Sequence, residues 1–346
     1  MKKLTFILAA ALTSMASFAQ DATEAPKSTP LEISGSGDLY YKYDFSKMEN
    51  NIKTSFGTDQ NSVSLGMLDI ALKKSVGKAS FVGEVSFGPR GQYQSIPNGD
   101  GVDMNSFHIQ NLYATYAFTE KFSMTAGYMG TFIGYEVISP VGNFHYSTSY
   151  MFTNGPFQNA GIKANYKISD KFGAMLGLFN DTWNTYKANP SKGLNAVGGQ
   201  LSFASGPVSA YLNFMDGSVS GTIFDLTATF QLSEKFKLGL NAADWSNTGD
   251  QGYTGVALYP SYAITDAFGL GLRAEYFSVK EGSVLSGIDG DESVTAFTLS
   301  GNYKVGGFTV IPELRLDSAS EDAFVDSDMA PTKSASQFLL AVVYGF

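Results

Sequence analysis

The stretch that decides the fold is TIFDLTATFQL, Thr222–Leu232. Phe224, Leu226, Ala228, Phe230 and Leu232 alternate with Asp225, Thr227, Thr229 and Gln231. A period of two places successive side chains on opposite faces, so this is a strand with one apolar and one polar face. The pattern recurs in Lys235–Asp244, where Phe236, Leu238, Leu240 and Ala242 oppose Lys237, Gly239 and Asn241. It returns in Phe268–Tyr276 and again in Phe308–Leu316, whose polar faces carry Arg273 and Glu275, and Glu313 and Arg315.

The connections repeat as well. TEKF (Thr119–Phe122), SDKF (Ser169–Phe172), SEKF (Ser233–Phe236) and TDAF (Thr265–Phe268) are short polar turns, each ending in a phenylalanine. Three tighter turns centre on Gly77, Gly206 and Gly306, where glycine reaches positive φ without a Cβ clash. Longer polar connections lie near 46–60, 89–104, 136–156, 182–193, 216–221, 246–252, 280–292 and 318–333. Short and long connections alternate and cut the chain into sixteen strands. That grammar predicts an all-β fold: a transmembrane, antiparallel, up-and-down barrel with short periplasmic turns and long extracellular loops. Closure leaves no sheet edge, so every strand hydrogen bond is satisfied in lipid. Phe122, Phe172, Phe236 and Phe268 are then placed for an aromatic girdle at the periplasmic interface.

Composition agrees. Charged residues make up only 16% of the chain and aromatics 14%. Cysteine is absent, which excludes a small disulfide scaffold. MKKLTFILAAALTSMASFAQ has a basic start, a short apolar core and the small residues Ser17 and Ala19, so residues 1–19 read as a secretory signal. Residues 20–30 read as a polar periplasmic linker and 31–346 as the barrel. Removing Lys2 and Lys3 from 23 basic residues leaves 21 against 32 acidic ones, moving the formal net charge from −9 to −11. An acidic chain argues against a nucleic-acid partner. The expected location is the outer membrane, in contact with lipid and surface glycolipid.

The last residues, QFLLAVVYGF, place Phe338, Leu340, Val342, Tyr344 and Phe346 on one face. This final strand is expected to pair with the first, near Ile33–Phe45, with Leu39, Tyr41, Tyr43 and Phe45 outward. An alternating strand ending in Phe346 also resembles the signal that delivers such barrels to their insertion machinery.

TFIGYEVISPVGNFHYSTSYMFTNGPFQNAGIKANY (Thr131–Tyr166), with GLFNDTWNT (Gly177–Thr185), resembles the β-barrel porin-2, OmpL-like family. The marks are Ile133–Glu136, Asn143–Tyr150 and the cluster Asn180-Asp181-Thr182-Trp183-Asn184, whose Asp-Thr departs from the family's glycine before the tryptophan. The resemblance is densest over about residues 105–200. It implies an outer-membrane channel of Gram-negative, Bacteroidota-like bacteria and supplies no substrate.

For chemistry, the chain holds two histidines, His108 and His145. His145 has Ser147 and Ser149 nearby but no recognised nucleophile spacing, so no catalytic residue is assigned. No His/Cys cluster supports zinc, and no metal or cofactor is assigned. Val137–Gly155 is the longest connection and the third extracellular loop. Its Phe144, Tyr146, Tyr150, Met151 and Phe152 need somewhere to pack, which suits a loop folded into the lumen; a lid or a latch between protomers is the alternative. Glu136, His145, Tyr146, Asp181 and Trp183 are therefore candidates for a pore constriction. Lys163, Lys167, Arg273, Glu275, Glu313 and Arg315 are candidate lumen charges, joined by Asp69 and Glu84. They would set up either a transverse field or salt-bridge ladders that fill the lumen. Glu281–Glu292 and Asp317–Asp328 are acidic and read as a solvated rim. The function these features favour is a passive diffusion channel for small polar solutes or ions, as a possible homotrimer. The competing reading is a barrel with a closed lumen whose loops act as an adhesin.

Overall fold

The computed structural model describes residues 27–92, 107–181 and 193–346. The expected signal peptide and Trp183 lie outside them. Successive strands are β1 (Glu32–Asp44), β2 (Ser62–Val76), β3 (Ala79–Phe87), β4 (Phe107–Ala117), β5 (Phe122–Gly130), β6 (Gln158–Lys167), β7 (Phe172–Asn180) and β8 (Leu194–Ser205). They continue with β9 (Val208–Gly217), β10 (Gly221–Gln231), β11 (Phe236–Asn247), β12 (Gln251–Ala263), β13 (Phe268–Val279), β14 (Ser293–Val305) and β15 (Phe308–Ala319). A small hairpin, β16 (Phe324–Val325) with β17 (Pro331–Thr332), occupies the last loop before β18 (Ser334–Gly345). All but that hairpin form one closed antiparallel barrel of sixteen strands in sequence order, shut by β18 against β1.

The closing register runs from Ser36↔Gly345 to Asp44↔Gln337. Beyond it, Gly35 and Phe346 exchange reciprocal backbone hydrogen bonds, each 3.0 Å. The expected linker is partly ordered onto the barrel: Gly77 N–H donates to Lys27 O and Thr29 N–H to Ser75 O.

The alternation resolves as anticipated, apolar outward and polar inward. On β7, Leu176 is 73% exposed to the surroundings while its neighbour Met175 is 5% exposed. The post-turn phenylalanines face outward in cross-strand aromatic pairs: Phe122↔Tyr166, Phe172↔Phe203, Phe236↔Tyr262, Phe268↔Tyr303, and Phe308↔Tyr344 beside them. Paired aromatics on neighbouring strands contribute to an interfacial belt and add cross-strand packing. Gly77, Gly206 and Gly306 sit at φ near +60°, as their turns require.

A charge on the outward face would have to enter lipid. Leu314, mid-strand on β15 and 50% exposed, tests this. Leu314→Arg is expected to lower the unfolding free energy in lipid by ~2–4 kcal/mol. Thr115→Arg, on the lumen face, should leave it within ~0.5 kcal/mol; denaturant titration of both variants reads the difference.

Candidate functional site

The connection from β5 to β6 folds into the barrel rather than over it. Its base is closed by Thr131 N–H donating to Phe157 O at 3.0 Å. From there the loop crosses the lumen. The Phe132 ring packs against Phe179, and Gly134 N–H donates to Asp225 on β10 at 3.0 Å. Tyr135 stacks on Tyr259 of β12, with ring centroids 4.4 Å apart. Glycines on the inward faces open room for these rings. A Cβ at Gly239 would lie 2.2 Å from the Tyr135 hydroxyl, and one at Gly271 2.3 Å from the Phe144 ring.

The loop then runs along the wall made by β13, β14 and β15, where its backbone meets charged side chains. Glu313 accepts from the N–H groups of Tyr146 (2.9 Å) and Ser147 (3.2 Å). Glu275 accepts from those of Tyr150 and Met151, both 2.9 Å, at the start of the one-turn helix Tyr150–Asn154. Arg273 donates to Ser147 O (2.6 Å) and Thr148 O (3.2 Å) and pairs with Glu136 at 2.7 Å. Arg315 donates to Thr148 O at 2.8 Å and forks onto both oxygens of Asp317, whose Oδ2 also accepts from the Tyr150 hydroxyl at 2.7 Å. Ser149 caps the helix by accepting from Phe152 N–H while its hydroxyl donates to Glu136.

Every loop N–H and C=O drawn into the barrel needs a partner, because a buried unpaired one costs ~1–3 kcal/mol. Carboxylates answer the N–H groups and guanidinium groups answer the carbonyls. Each buried charge is in turn neutralised or hydrogen-bonded, which is the condition for keeping it there.

A second clamp holds the near side. The Arg90 guanidinium, at the start of the second extracellular loop, lies between the rings of Phe56 (4.6 Å) and Tyr146 (4.3 Å). It faces Asp38 of β1 at 3.5 Å, and Asp38 accepts from the Tyr146 hydroxyl at 2.5 Å. Asp38 fits because Gly66 lies opposite: a Cβ there would overlap the carboxylate.

The sequence candidates therefore sort differently from their expected roles. Glu136, His145 and Tyr146 are in the lumen but buried at the contact between loop and wall, not turned to open water. Arg273, Glu275, Glu313 and Arg315 point inward, yet none is more than 2% exposed. They carry no open transverse field, because the loop's backbone claims them. Asp181 is not at a constriction: it accepts from Val219 and Ser220 N–H and from the Ser218 and Ser220 hydroxyls, holding the β9–β10 turn. Lys167 sits at a periplasmic turn, paired with Asp170 at 2.6 Å, rather than inside the pore. Lys163 alone of the six faces an open cavity. Asp317 belongs to the interior network and not to the acidic rim. Asp38, Arg90, Asp225 and Ser300 complete the arrangement and were not among the site residues expected from the sequence.

Open space lies on the opposite side and at the periplasmic end. A cavity of about 430 Å³ is bounded by Asn111, Thr115, Thr125, Lys163 and Asn165. Another of about 280 Å³ lies between the loop's Phe132 and Tyr135 and the β8–β10 residues Gln200, Tyr211 and Thr229. A third, of about 750 Å³, opens beneath the loop at the periplasmic end.

A sixteen-stranded barrel with its third loop folded inward defines an outer-membrane porin. Residues 30–346 match the family described as "Putative beta-barrel porin-2, OmpL-like", and the chain belongs to that family. It is an integral, multi-pass protein of the outer membrane. Among solved structures it is similar to the anion-selective porin from Comamonas acidovorans, at 12% identity and TM-score 0.63, over 92% of this chain and 100% of that one. It is also similar to Salmonella typhi OmpF in complex with daunomycin, at 12% identity and TM-score 0.62, over 91% and 97%. OmpT of Vibrio cholerae, in its trimer form, shares 13% identity and TM-score 0.59, over 92% and 99%. No curated protein sequence matches the chain.

Two outcomes test the docking network. Glu275→Ala leaves the two buried N–H groups of Tyr150 and Met151 without their acceptor and removes a negative charge close to Arg273 and Arg315, and should weaken loop docking by ~3–5 kcal/mol. Proteolysis within 137–155 of the folded barrel should then speed up sharply. His145 gives a pH dependence. Burial, and then the positive charge of Arg273, hold its imidazole well below the ordinary 6.5. Its Nδ1 lies 2.7 Å from Ser300 Oγ, which itself donates to Glu313, so the neutral ring donates through Nδ1. A folded pKa below the unfolded one means stability is full above pH 6.5 and falls as the pH drops toward the folded value. Thermal midpoints at pH 7 and pH 5 should differ more for the native chain than for His145→Gln.

Proposed function

We propose that small polar solutes and ions cross passively between the docked loop and the wall of β3–β6 and β8–β11. The observation that carries this is the division of the lumen. The loop fills the side of β12–β15, β18 and β1, and the polar cavities holding Lys163, Gln200 and Thr229 remain on the other. Interior width grows with strand number, and sixteen strands leave more lumen than one loop occupies. In this reading the loop sets the size limit, and its charged anchors serve position rather than solute contact.

The same geometry favours transport without covalent chemistry. His145, Ser147, Ser149 and the nearby carboxylates are occupied in holding the loop, and no substrate-facing pair of nucleophile and base is left among them. The acidic loop residues Glu281, Asp289, Asp291, Asp326 and Asp328 are exposed and form an extracellular rim that disfavours anions arriving from outside.

Single-channel recording in a planar bilayer tests the proposal. Stable steps proportional to salt concentration are expected, with larger steps after deletion of residues 139–152. Because that deletion could fail to fold, the point variant Glu313→Ala serves beside it and should give noisier, larger openings. Folded native protein that never conducts would overturn the reading and favour a closed barrel acting through its loops.

A further inference from the structure

The two sides of the lumen differ in the hydrogen-bonding capacity they have left over. Against the loop, the charged side chains of β13 and β15 are claimed by its backbone. Across from it, Tyr113 of β4, Asn165 of β6 and Tyr211 of β9 line open space and make no side-chain hydrogen bond among the described residues. Tyr211 is 39% exposed although its strand position points it inward. Gln200 of β8 donates to Asn213 Oδ1 at 2.8 Å, and its own side-chain oxygen accepts from no described residue.

Formal charge is scarce on this wall. Away from the periplasmic turns, the inward positions of β4–β10 hold Lys163 and Asp225 as their only lysine, arginine, aspartate or glutamate among the described residues. Asp225 is 2% exposed and is occupied by the Asn213 and Asn241 amides and the Gly134 N–H. That leaves one ammonium group among hydroxyls, amides and phenol rings. An anion calls for donors and a cation for acceptors, whereas hydroxyl and amide groups supply both at once. Their natural complement is a solute that is itself built of hydroxyls.

We infer that this wall is a low-affinity site for neutral polyhydroxylated solutes of sugar-like size. Tyr113 and Tyr211 are its stacking faces, and Asn165 and Gln200 its hydrogen-bonding partners. The inference rests on the open path proposed above and names the class of solute that path favours. A tyrosine ring offers a flat apolar surface with a polar tip, which suits the C–H face and the hydroxyl edge of a sugar ring together. The cavities of about 430 and 280 Å³ meet at Thr131, which lines both. Their size is of the order that holds one small organic molecule, ~300–1,000 Å³.

The test measures uptake of labelled glucose into proteoliposomes holding the folded barrel, beside the double variant Tyr113→Leu, Tyr211→Leu. Native uptake should saturate with glucose concentration, as flow through a site does. The variant has a wider lumen and should still conduct ions, yet its half-saturation should move roughly five-fold higher. Each single variant serves where the double one fails to fold. Uptake that stays linear in the native protein, or a half-saturation the variant leaves unchanged, would overturn the inference with the pore intact. Gluconate, the anionic counterpart of glucose, tests the lone ammonium of Lys163. Unlabelled glucose should compete with the labelled sugar more strongly than gluconate does, and the reverse order would overturn the neutral class. Protein that passes neither ions nor glucose would instead strike the pore reading. Saturation-transfer NMR of glucose with the folded barrel then decides the site: transfer lost in the double variant supports it, and no transfer to native protein overturns it.

Discussion

A chain that enters a barrel's interior brings its backbone N–H and C=O groups away from bulk water, and the rest of this molecule is arranged around satisfying them. A strand solves the problem by pairing with its neighbours. The segment from Thr131 to Phe157 has no neighbour to pair with, so side chains on the wall take that role. Glu275 and Glu313 each receive two adjacent N–H groups, and Arg273 and Arg315 meet at the carbonyl of Thr148. The charges are held in register because β13, β14 and β15 are themselves in register, Arg273↔Thr298↔Arg315 and Ser300↔Glu313. The barrel's ladder thus fixes the geometry of the clamp, and the clamp fixes the loop.

The consequence is an asymmetric lumen. Charged residues concentrate on the side the loop covers, where they are consumed by docking. The other side keeps hydroxyls, amides and Lys163 in contact with open space. A polar wall with few fixed partners suits a solute path, because a path must offer contacts without holding any solute tightly. Arg90 and Asp38 add a link between the first, second and third loops, so that displacement of Tyr146 would disturb the cation–π stack and the ion pair together.

Much of this was readable from the chain. Strand number, turn positions, the outward phenylalanines and the inward sign of Arg273, Glu275, Glu313 and Arg315 follow from a period of two, which survives any tertiary context that keeps one face in lipid. The aromatic residues of the third loop favoured its entry over a lid or a latch between protomers. What those inward charges meet was not readable, because Glu313 and Tyr146 are 167 residues apart and alternation says nothing about contacts across a lumen. Asp181 looked like a pore residue by its place in a motif, whereas its neighbours in space are the hydroxyls and N–H groups of a turn. One signal was available and unused: glycines at inward strand positions, Gly239 and Gly271, mark where a ring from elsewhere needs the space of a side chain. Arg90, in a Pro-Arg-Gly stretch that reads as an exposed loop, offered no such sign.

The central claim is that the third loop's backbone is held by the barrel wall as firmly as a strand is held by its neighbours. Hydrogen–deuterium exchange on the folded protein, resolved at the amides of Tyr146, Ser147, Tyr150 and Met151, measures it directly. The account predicts protection of these four amides close to that of β13 and β15. Exchange as fast as that of the exposed residues of the acidic loops would contradict it.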